Sequence, residues 1–210
     1  MKVKICGITR LEDALAAAEY GANALGFVFY RKSPRYIEPE LAAEIIRNLP
    51  PFITPVALFV NEPEESVRDI LHLANINVVQ FHGDEPLDYL SLFPQRIIKA
   101  IRVKDESTLK PLAGYEVSAF LLDSYSPDAY GGTGKRFDWE VIKETGSVNR
   151  IILAGGLNAD NVAYAVKLVR PYGIDASSGL ESSLGIKDHK KVKDFIRAAK
   201  AASLELDEQF

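Results

Sequence analysis

The sequence contains little cysteine and little histidine, and both scarcities exclude classes of site. Among the 210 residues there are one cysteine, Cys6, and three histidines, His72, His82 and His189. A single cysteine cannot form an intrachain disulfide or a multi-cysteine zinc site, and it suits a reduced, cytoplasmic setting. The histidines show neither His-x-His nor His-Glu-x-x-His spacing, so no metal site is predicted.

The sequence also lacks an excess of positive charge and any long apolar run. Lysine and arginine (25) are outnumbered by aspartate and glutamate (29), so no nucleic-acid partner is expected. No uninterrupted apolar run approaches the ~20 residues that a membrane span requires. The first residues pass directly into a strand-like run without a charged segment followed by an apolar one, so we expect no signal peptide and no membrane partner.

Eight short apolar runs are the main feature that the sequence does contain. Most are too short for helices, and they are rich in valine, isoleucine and phenylalanine. They are continuous rather than alternating, which is typical of parallel strands that are covered on both faces. The runs begin near Val3, Ala24, Pro55, Val78, Ile97, Ala119, Arg150 and Gly173.

Helix-like stretches separate these runs, and the alternation of strand and helix predicts a parallel sheet. A doubly wound open sheet and a closed (βα)8 barrel both fit; the eight regular units favour the barrel, although ~250 residues is its usual length. We therefore predict a single-domain α/β fold, a (βα)8 TIM barrel over residues 1–202, with a short tail at 203–210. Before the first helix, Thr9 and Glu12 have the spacing of a capping box.

Two loops after the last strands predict an anion site. Gly155 and Gly156 follow the seventh strand, and Ser177, Ser178 and Gly179 follow the eighth. Loops after strands 7 and 8 are where (βα)8 barrels bind phosphate, and glycine lets backbone amides approach an anion closely. Either loop alone fits an ordinary tight turn, but two on adjacent strands favour phosphate binding.

Other polar side chains fall at or near predicted strand ends. Cys6 closes the first strand, where it fits either a small buried hydrophobe or a reactive thiol; as a base it would need a lowered pKa. Asp123 closes the sixth strand, where a carboxylate at the barrel mouth must be paired or used. Arg35 fits either an anion-binding residue or a surface arginine. His82 is the only histidine at a strand end.

Two further segments are less specific. The loop over residues 124–137 contains a glycine-rich stretch that could form a second anion loop or a lid, but its spacing does not match a P-loop. Residues 187–193 are rich in lysine and are most simply the solvated face of the last helix.

An ordered set of short motifs gives the sequence a specific resemblance. The motifs are residues 3–9 (VKICGIT), 26–29 (GFVF), 33–36 (SPRY), 80–85 (QFHGDE), 121–123 (LLD), 131–139 (GGTGKRFDW), 153–157 (LAGGL) and 175–181 (DASSGLE). In this order, and over nearly the whole chain, they resemble the phosphoribosylanthranilate isomerase family of tryptophan biosynthesis. Phe81 stands where leucine is expected and Ala176 where valine is expected, and neither departure removes a reacting group.

The resemblance implies an Amadori rearrangement of the aminoaldose N-(5′-phosphoribosyl)anthranilate into the aminoketose 1-(2-carboxyphenylamino)-1-deoxyribulose 5-phosphate. It implies that Asp123 protonates the ribose ring oxygen as the general acid. It also implies that Cys6, as the thiolate, then removes the C2′ proton. No cofactor is expected, because the intermediate iminium cation makes that proton acidic.

The same resemblance assigns residues to substrate binding. Arg35 would bind the anthranilate carboxylate, Asp175 would contact ribose hydroxyls, and His82 is a weaker candidate behind the reacting groups. The phosphate would be held by Gly155, Gly156, Ser177, Ser178 and Gly179. The expected partner is a small-molecule phosphosugar, and both a monomer and a homodimer remain open.

Three other functions fit the same fold. The histidine-pathway isomerase performs the same rearrangement with two aspartates, whereas Cys6 ends the first strand here. Indole-glycerol-phosphate synthase would need a catalytic lysine–glutamate pair inside the barrel, and only Lys4 and Lys99 lie near strands. A catalytically silent phosphate-binding protein would tolerate the loss of Cys6 and Asp123, and both are present.

Overall fold

The computed structural model describes residues 1–109, 114–124, 139–142 and 150–207. Its main sheet consists of β1 (Lys2–Cys6), β2 (Ala24–Val28), β3 (Thr54–Phe59), β4 (Val78–Phe81), β5 (Arg96–Val103), β6 (Ala119–Ser124), β7 (Ile151–Leu153) and β8 (Gly173–Ala176). The strands are parallel and pair in chain order, and β8 pairs with β1 as well as with β7. The predicted closed barrel is therefore confirmed, and the open-sheet alternative is wrong.

Helices and short turns connect the strands around the barrel. The helices are α1 (Leu11–Glu19), α2 (Pro39–Arg47), α3 (Glu64–Ala74), α4 (Leu87–Leu90), α5 (Val162–Val169) and α6 (His189–Asp207). Between β8 and α6, an antiparallel ribbon is formed by β9 (Glu181–Ser183) and β10 (Ile186–Lys187). Among the described residues, no helix has the length and apolar character needed to cross a lipid bilayer. Residues 125–138, with the loop predicted as a second anion site or a lid, lie outside the described ranges.

Each barrel strand buries both of its faces, which explains why the strand sequences are continuously apolar. The lumen is filled by a cluster that includes Val56, Ile98, Leu121 and Ile152. The opposite strand faces pack against the helices in a larger cluster that includes Phe27, Phe59, Phe81, Leu122 and Leu153. Side chains two residues apart on a strand share a face, so the lumen collects alternate residues from every strand.

The capping box predicted at the first helix is wrong. The Thr9 hydroxyl donates instead to the carbonyl of Gly185, at 2.5 Å, and Glu12 pairs with Arg10. Gly185 lies in the turn between β9 and β10. The Thr9 hydroxyl is therefore bound to a distant part of the chain and does not cap α1, as the local spacing predicted.

The boundary predicted for the tail, at residue 203, falls inside a helix. Helix α6 continues to Asp207, with Ala202 buried and Leu206 packed against the core. Residues four apart lie on one helical face, so this spacing extends the apolar stripe of α6 beyond the predicted boundary at residue 202.

An aromatic cluster anchors the outer face of β4. The Phe81 ring lies 5.1 Å from that of Phe93, 5.5 Å from that of Tyr89 and 6.4 Å from that of Phe59, between ring centroids. Phe81 is fully buried. The phenylalanine that stands where leucine is expected is thus the centre of a packed aromatic group.

Replacing Phe81 by alanine should destabilise the fold strongly. Removing a buried phenylalanine ring costs about 3–5 kcal/mol, through lost transfer energy and the cavity that remains. Urea unfolding followed by circular dichroism measures this free energy. The matched control is Phe52→Ala, because Phe52 is 94% exposed and such a change should cost no more than about 0.5 kcal/mol. Equal losses in the two variants would contradict the packing argument.

Candidate active site

The predicted rim residues come together at the C-terminal ends of the strands. Cys6 ends β1, Asp123 lies near the end of β6, and His82 directly follows β4. Asp123 shares a strand face with Leu121, which packs in the lumen. Asp123 and His82 meet although β5 separates their strands, so both side chains face the interior of the barrel.

Cys6 is buried at the upper layer of the lumen, beside Val28, Leu58 and Val60. Its register partner on β2 is Gly26, and a Cβ atom at residue 26 would lie 2.7 Å from Cys6 Sγ. Glycine is therefore required there, because any larger residue would displace the sulfur.

Burial raises the pKa of the Cys6 thiol, against the opposing charge of Lys4. The negative charge of Asp175 raises it further, and the positive charge of Lys187 lowers it. The thiol is consequently mostly protonated at neutral pH. A base at this position needs a positive charge nearby to favour the thiolate.

Asp123 accepts a hydrogen bond from the neighbouring backbone and lies beside His82. One carboxylate oxygen, Oδ1, accepts a hydrogen bond from the backbone amide of Ser124 at 2.7 Å. The other, Oδ2, lies 3.3 Å from Nε2 of His82. His82 Nδ1 lies 2.8 Å from the amide nitrogen of Gln80. Because an amide nitrogen can only donate, Nδ1 accepts this hydrogen bond, and Nε2 is the ring nitrogen that faces Asp123.

The two predicted phosphate loops form one continuous surface. Gly155 and Gly156 have positive φ angles of 83° and 66°, which glycine adopts without steric cost. A Cβ atom at Gly179 would lie 2.3 Å from the carbonyl oxygen of Leu157, so the loop after β8 packs directly on the loop after β7. Ser178 and Gly179 belong to a short 3₁₀ turn.

Ser177 supplies an unpaired donor at this surface. Its hydroxyl oxygen is buried and has no hydrogen-bond partner among the described residues. A Cβ atom at Gly7 would lie 3.0 Å from this oxygen, which places it beside the end of β1. An orphaned buried hydroxyl beside glycine-rich loops is the feature expected of an anion site that binds by hydrogen bonds.

Arg35 is buried, contrary to the surface alternative. Its Nε and Nη2 atoms donate to the two carboxylate oxygens of Glu181, at 2.7 and 2.8 Å. The same carboxylate accepts a hydrogen bond from Lys187 at 2.9 Å. A Cβ atom at Gly7 would lie 2.6 Å from Arg35 Cδ, so Arg35 lies beside Ser177 and the end of β1.

The prediction that residues 187–193 form a solvated helix face is wrong for Lys187. This side chain is buried, and it also approaches the carbonyl of Ser177 at 3.3 Å. Asp188 is the sequence signal for where the helix begins, because its carboxylate accepts hydrogen bonds from the amides of Lys190 and Lys191. An aspartate in this role begins a helix, which leaves Lys187 before α6 rather than on it.

A second buried ion pair, which sequence reasoning missed, fixes the loop after β4. Lys99 Nζ donates to Glu85 at 2.7 Å and to the carbonyl of Gly83 at 2.8 Å. Glu85 accepts from the amides of Gly83 and Asn61. Lys99 lies between Ile98 and Ala100, which face the lumen, so it points outward. This pair therefore supports the loop that carries His82 and is not a lysine–glutamate pair of the lumen.

Lys4 and Asp175 form a charged pair inside the lumen. They are register partners on β1 and β8, and Lys4 Nζ lies 2.9 Å from Asp175 Oδ1. Both side chains are buried. Asp175 thus has one oxygen bound within the protein. Within the described ranges, no three histidine, cysteine or carboxylate side chains come together as metal ligands.

Comparison with known proteins adds independent evidence. The family model described as N-(5′-phosphoribosyl)anthranilate (PRA) isomerase matches residues 3–198. The chain is 56% identical over 203 residues to N-(5′-phosphoribosyl)anthranilate isomerase of Trichlorobacter lovleyi, covering 96% of this chain and 99% of the relative.

Two solved structures are similar over the same length. Phosphoribosyl anthranilate isomerase from Thermotoga maritima matches with a TM-score of 0.90 and 43% identity, covering 96% of this chain and 99% of that one. A phosphoribosyl anthranilate isomerase in complex with reduced 1-(o-carboxyphenylamino)-1-deoxyribulose 5-phosphate matches with a TM-score of 0.86 and 42% identity, with the same coverage. Since the family model and the relatives both span nearly the whole barrel, this chain belongs to the N-(5′-phosphoribosyl)anthranilate isomerase family.

Proposed function

We propose that this chain is an isomerase of tryptophan biosynthesis that converts N-(5′-phosphoribosyl)anthranilate into 1-(2-carboxyphenylamino)-1-deoxyribulose 5-phosphate. One observation carries the proposal: the thiol of Cys6 and the carboxyl group of Asp123 face one lumen at the C-terminal rim. Catalytic residues of (βα)8 enzymes come from the ends of several strands at this rim. The partner is a small phosphosugar, and we place the reaction in the cytoplasm, where Cys6 stays reduced.

Asp123 is the general acid of the first step. In its protonated form, Asp123 donates a proton to the ribose ring oxygen, the bond from that oxygen to C1′ breaks, and the nitrogen lone pair forms the iminium. The carboxyl group needs a fixed orientation for this transfer. The amide of Ser124 supplies part of that orientation through its hydrogen bond to Oδ1, and His82, whose Nε2 lies 3.3 Å from Oδ2, borders the other oxygen.

Cys6 is the general base of the second step. The Cys6 thiol first gives its proton to solvent, and the thiolate then removes the proton from C2′. The electron pair of that bond forms the C1′–C2′ double bond of an enolamine while the iminium nitrogen is neutralised. Protonation at C1′ and loss of the enol proton then give the ketone. The iminium cation beside Cys6 favours the thiolate, since a nearby opposite charge stabilises the ionised form.

The substrate is bound by groups around Cys6 and Asp123. Nε and Nη2 of Arg35 donate to Glu181, and Nη1 donates to the anthranilate carboxylate. The Ser177 hydroxyl and the amides of Gly155, Gly156, Ser178 and Gly179 hold the phosphate. Asp175 gives one oxygen to Lys4 and directs the other to ribose hydroxyls.

Cys6→Ser and Asp123→Asn should each lower kcat by about 10²–10⁴-fold, the usual contribution of one general acid or base. The labile substrate is made in situ from anthranilate and phosphoribosyl pyrophosphate by anthranilate phosphoribosyltransferase, and the loss of its fluorescence is followed. Asp69→Asn is the matched control, because Asp69 is exposed on α3. A folded variant of either residue that keeps the wild-type kcat would remove that residue from the mechanism.

Arg35→Ala should raise KM much more than it lowers kcat. The guanidinium binds a carboxylate that does not react, so the substrate and the transition state lose the same interaction. The fold should survive, because Glu181 keeps Lys187 as a cationic partner. The same fluorescence assay over a range of substrate concentrations gives both constants. A collapsed kcat with an unchanged KM would instead place Arg35 in the chemical step.

Glu181→Gln should destabilise the protein by about 3–5 kcal/mol at neutral pH, because two buried cations lose their shared anion. Burial alone would raise the pKa of Glu181, but the hydrogen bond from Arg35 and the charge of Lys187 lower it below its ordinary value. A lowered folded pKa stabilises the protein above the unfolded value of about 4.3, and this contribution is lost as the pH falls through the folded value.

The difference in unfolding free energy between wild type and Glu181→Gln should therefore shrink as the pH falls below about 4.3. Urea titrations at a series of pH values measure it. A difference that stayed constant from neutral to acidic pH would contradict the ionised state assigned to Glu181.

A further inference from the structure

Lys4 is a buried charge that the steps above do not use. It lies two residues before Cys6 on β1, so the two side chains share the lumenal face. Its side chain is 5% exposed. A lysine at this depth is expensive to keep charged without a partner, and one partner is Asp175, at 2.9 Å.

The geometry brings Lys4 to the sulfur of Cys6. A Cβ atom at Gly26 would lie 2.7 Å from Cys6 Sγ and 3.1 Å from Lys4 Nζ. The thiol and the ammonium thus converge on one point of β2, where the absence of a side chain leaves room for both. An ammonium has three donors, and the hydrogen bond to Asp175 uses one of them.

The charges around Cys6 come from three directions. Lys4 is on the same strand, Asp175 is on β8, and Lys187 lies at the end of β10; Tyr30 also packs against the Cys6 cluster. Burial lowers the pKa of Lys4, but Asp175 and Cys6 outweigh it and raise the value above the ordinary one. Lys4 is therefore cationic at neutral pH. Lys187 is engaged by Glu181, and Lys2 is exposed, so Lys4 is the buried cation on the strand of Cys6.

We propose that Lys4 is a positioning residue for catalysis, whose ammonium, held in place by Asp175, balances the charge of the Cys6 thiolate. Lys4 stays protonated throughout. The thiolate takes the C2′ proton and becomes a thiol, and the electron pair passes into the C1′–C2′ double bond. This inference rests on the proposed role of Cys6 as the base.

The test measures the pKa of Cys6 directly, without activity. The ultraviolet absorbance of the thiolate is titrated with pH, and Cys6→Ser provides the blank; because the chain has one cysteine, the signal belongs to Cys6 alone. Lys4→Met should raise this pKa by about one unit, an approximately tenfold fall in the thiolate at a given pH below it. Lys4→Arg should keep most of the wild-type value, because it keeps the charge.

Two comparisons separate this role from a structural one. Lys2→Met removes an equal charge from an exposed position of the same strand and should leave the titration unchanged. Asp175→Asn breaks the same ion pair but removes a negative charge near Cys6, so it should lower the pKa of Cys6. An ion pair that acts only as a support would not move the titration in opposite directions for its two members.

The kinetic counterpart is a shift of the pH–kcat profile of Lys4→Met to higher pH, so that raising the pH restores activity. An unchanged Cys6 pKa in folded Lys4→Met overturns the proposal. If Lys4→Met does not fold, Lys4→Gln, which removes the charge but keeps a hydrogen-bond donor towards Asp175, decides instead, and an unchanged Cys6 pKa in that variant overturns the proposal. If Cys6→Ser keeps the wild-type kcat, the base assignment fails instead, whatever the titration of Cys6 gives.

Discussion

The closed parallel barrel directs alternate side chains of every strand into one lumen. The rest of the site depends on this constraint. Closure through the β1–β8 pairing places Lys4 beside Asp175. The same geometry lets His82 and Asp123 meet across β5. Without closure β1 and β8 would not pair, and neither the ion pair nor the shared lumen would exist.

Buried ion pairs then fix the groups around the mouth. Three sets carry this part of the structure: Lys4 with Asp175, Lys99 with Glu85, and Glu181 with both Arg35 and Lys187. Such pairs add little net stability compared with a well-packed apolar core, but breaking one leaves an uncompensated buried charge. Their value here is positional, because they hold the guanidinium, the loop after β4 and the lumenal ammonium in defined places.

The local sequence pattern was sufficient to predict the barrel strands and the residues at their C-terminal ends. The eight strands begin within a residue or so of the predicted starts, because a doubly covered strand must be apolar throughout. The glycines after β7 and the serines after β8 were also predictable, since a tight turn and a close backbone approach restrict the residue type. Thr9 shows where such reasoning fails: its spacing with Glu12 is a valid capping signal, but Gly185 takes the hydroxyl.

The sequence by itself determined the order of strands and helices, the residues at the strand ends and the family of the chain. Only the tertiary structure decided which charges meet. Lys4 and Asp175 are 171 positions apart, and Arg35 and Glu181 are 146 apart. Lysine, arginine and glutamate are ordinary surface residues in any local window, so nothing near Lys187 or Arg35 reveals a buried partner. The partner is fixed by barrel closure and strand register, which bring together parts of the chain that no local pattern connects.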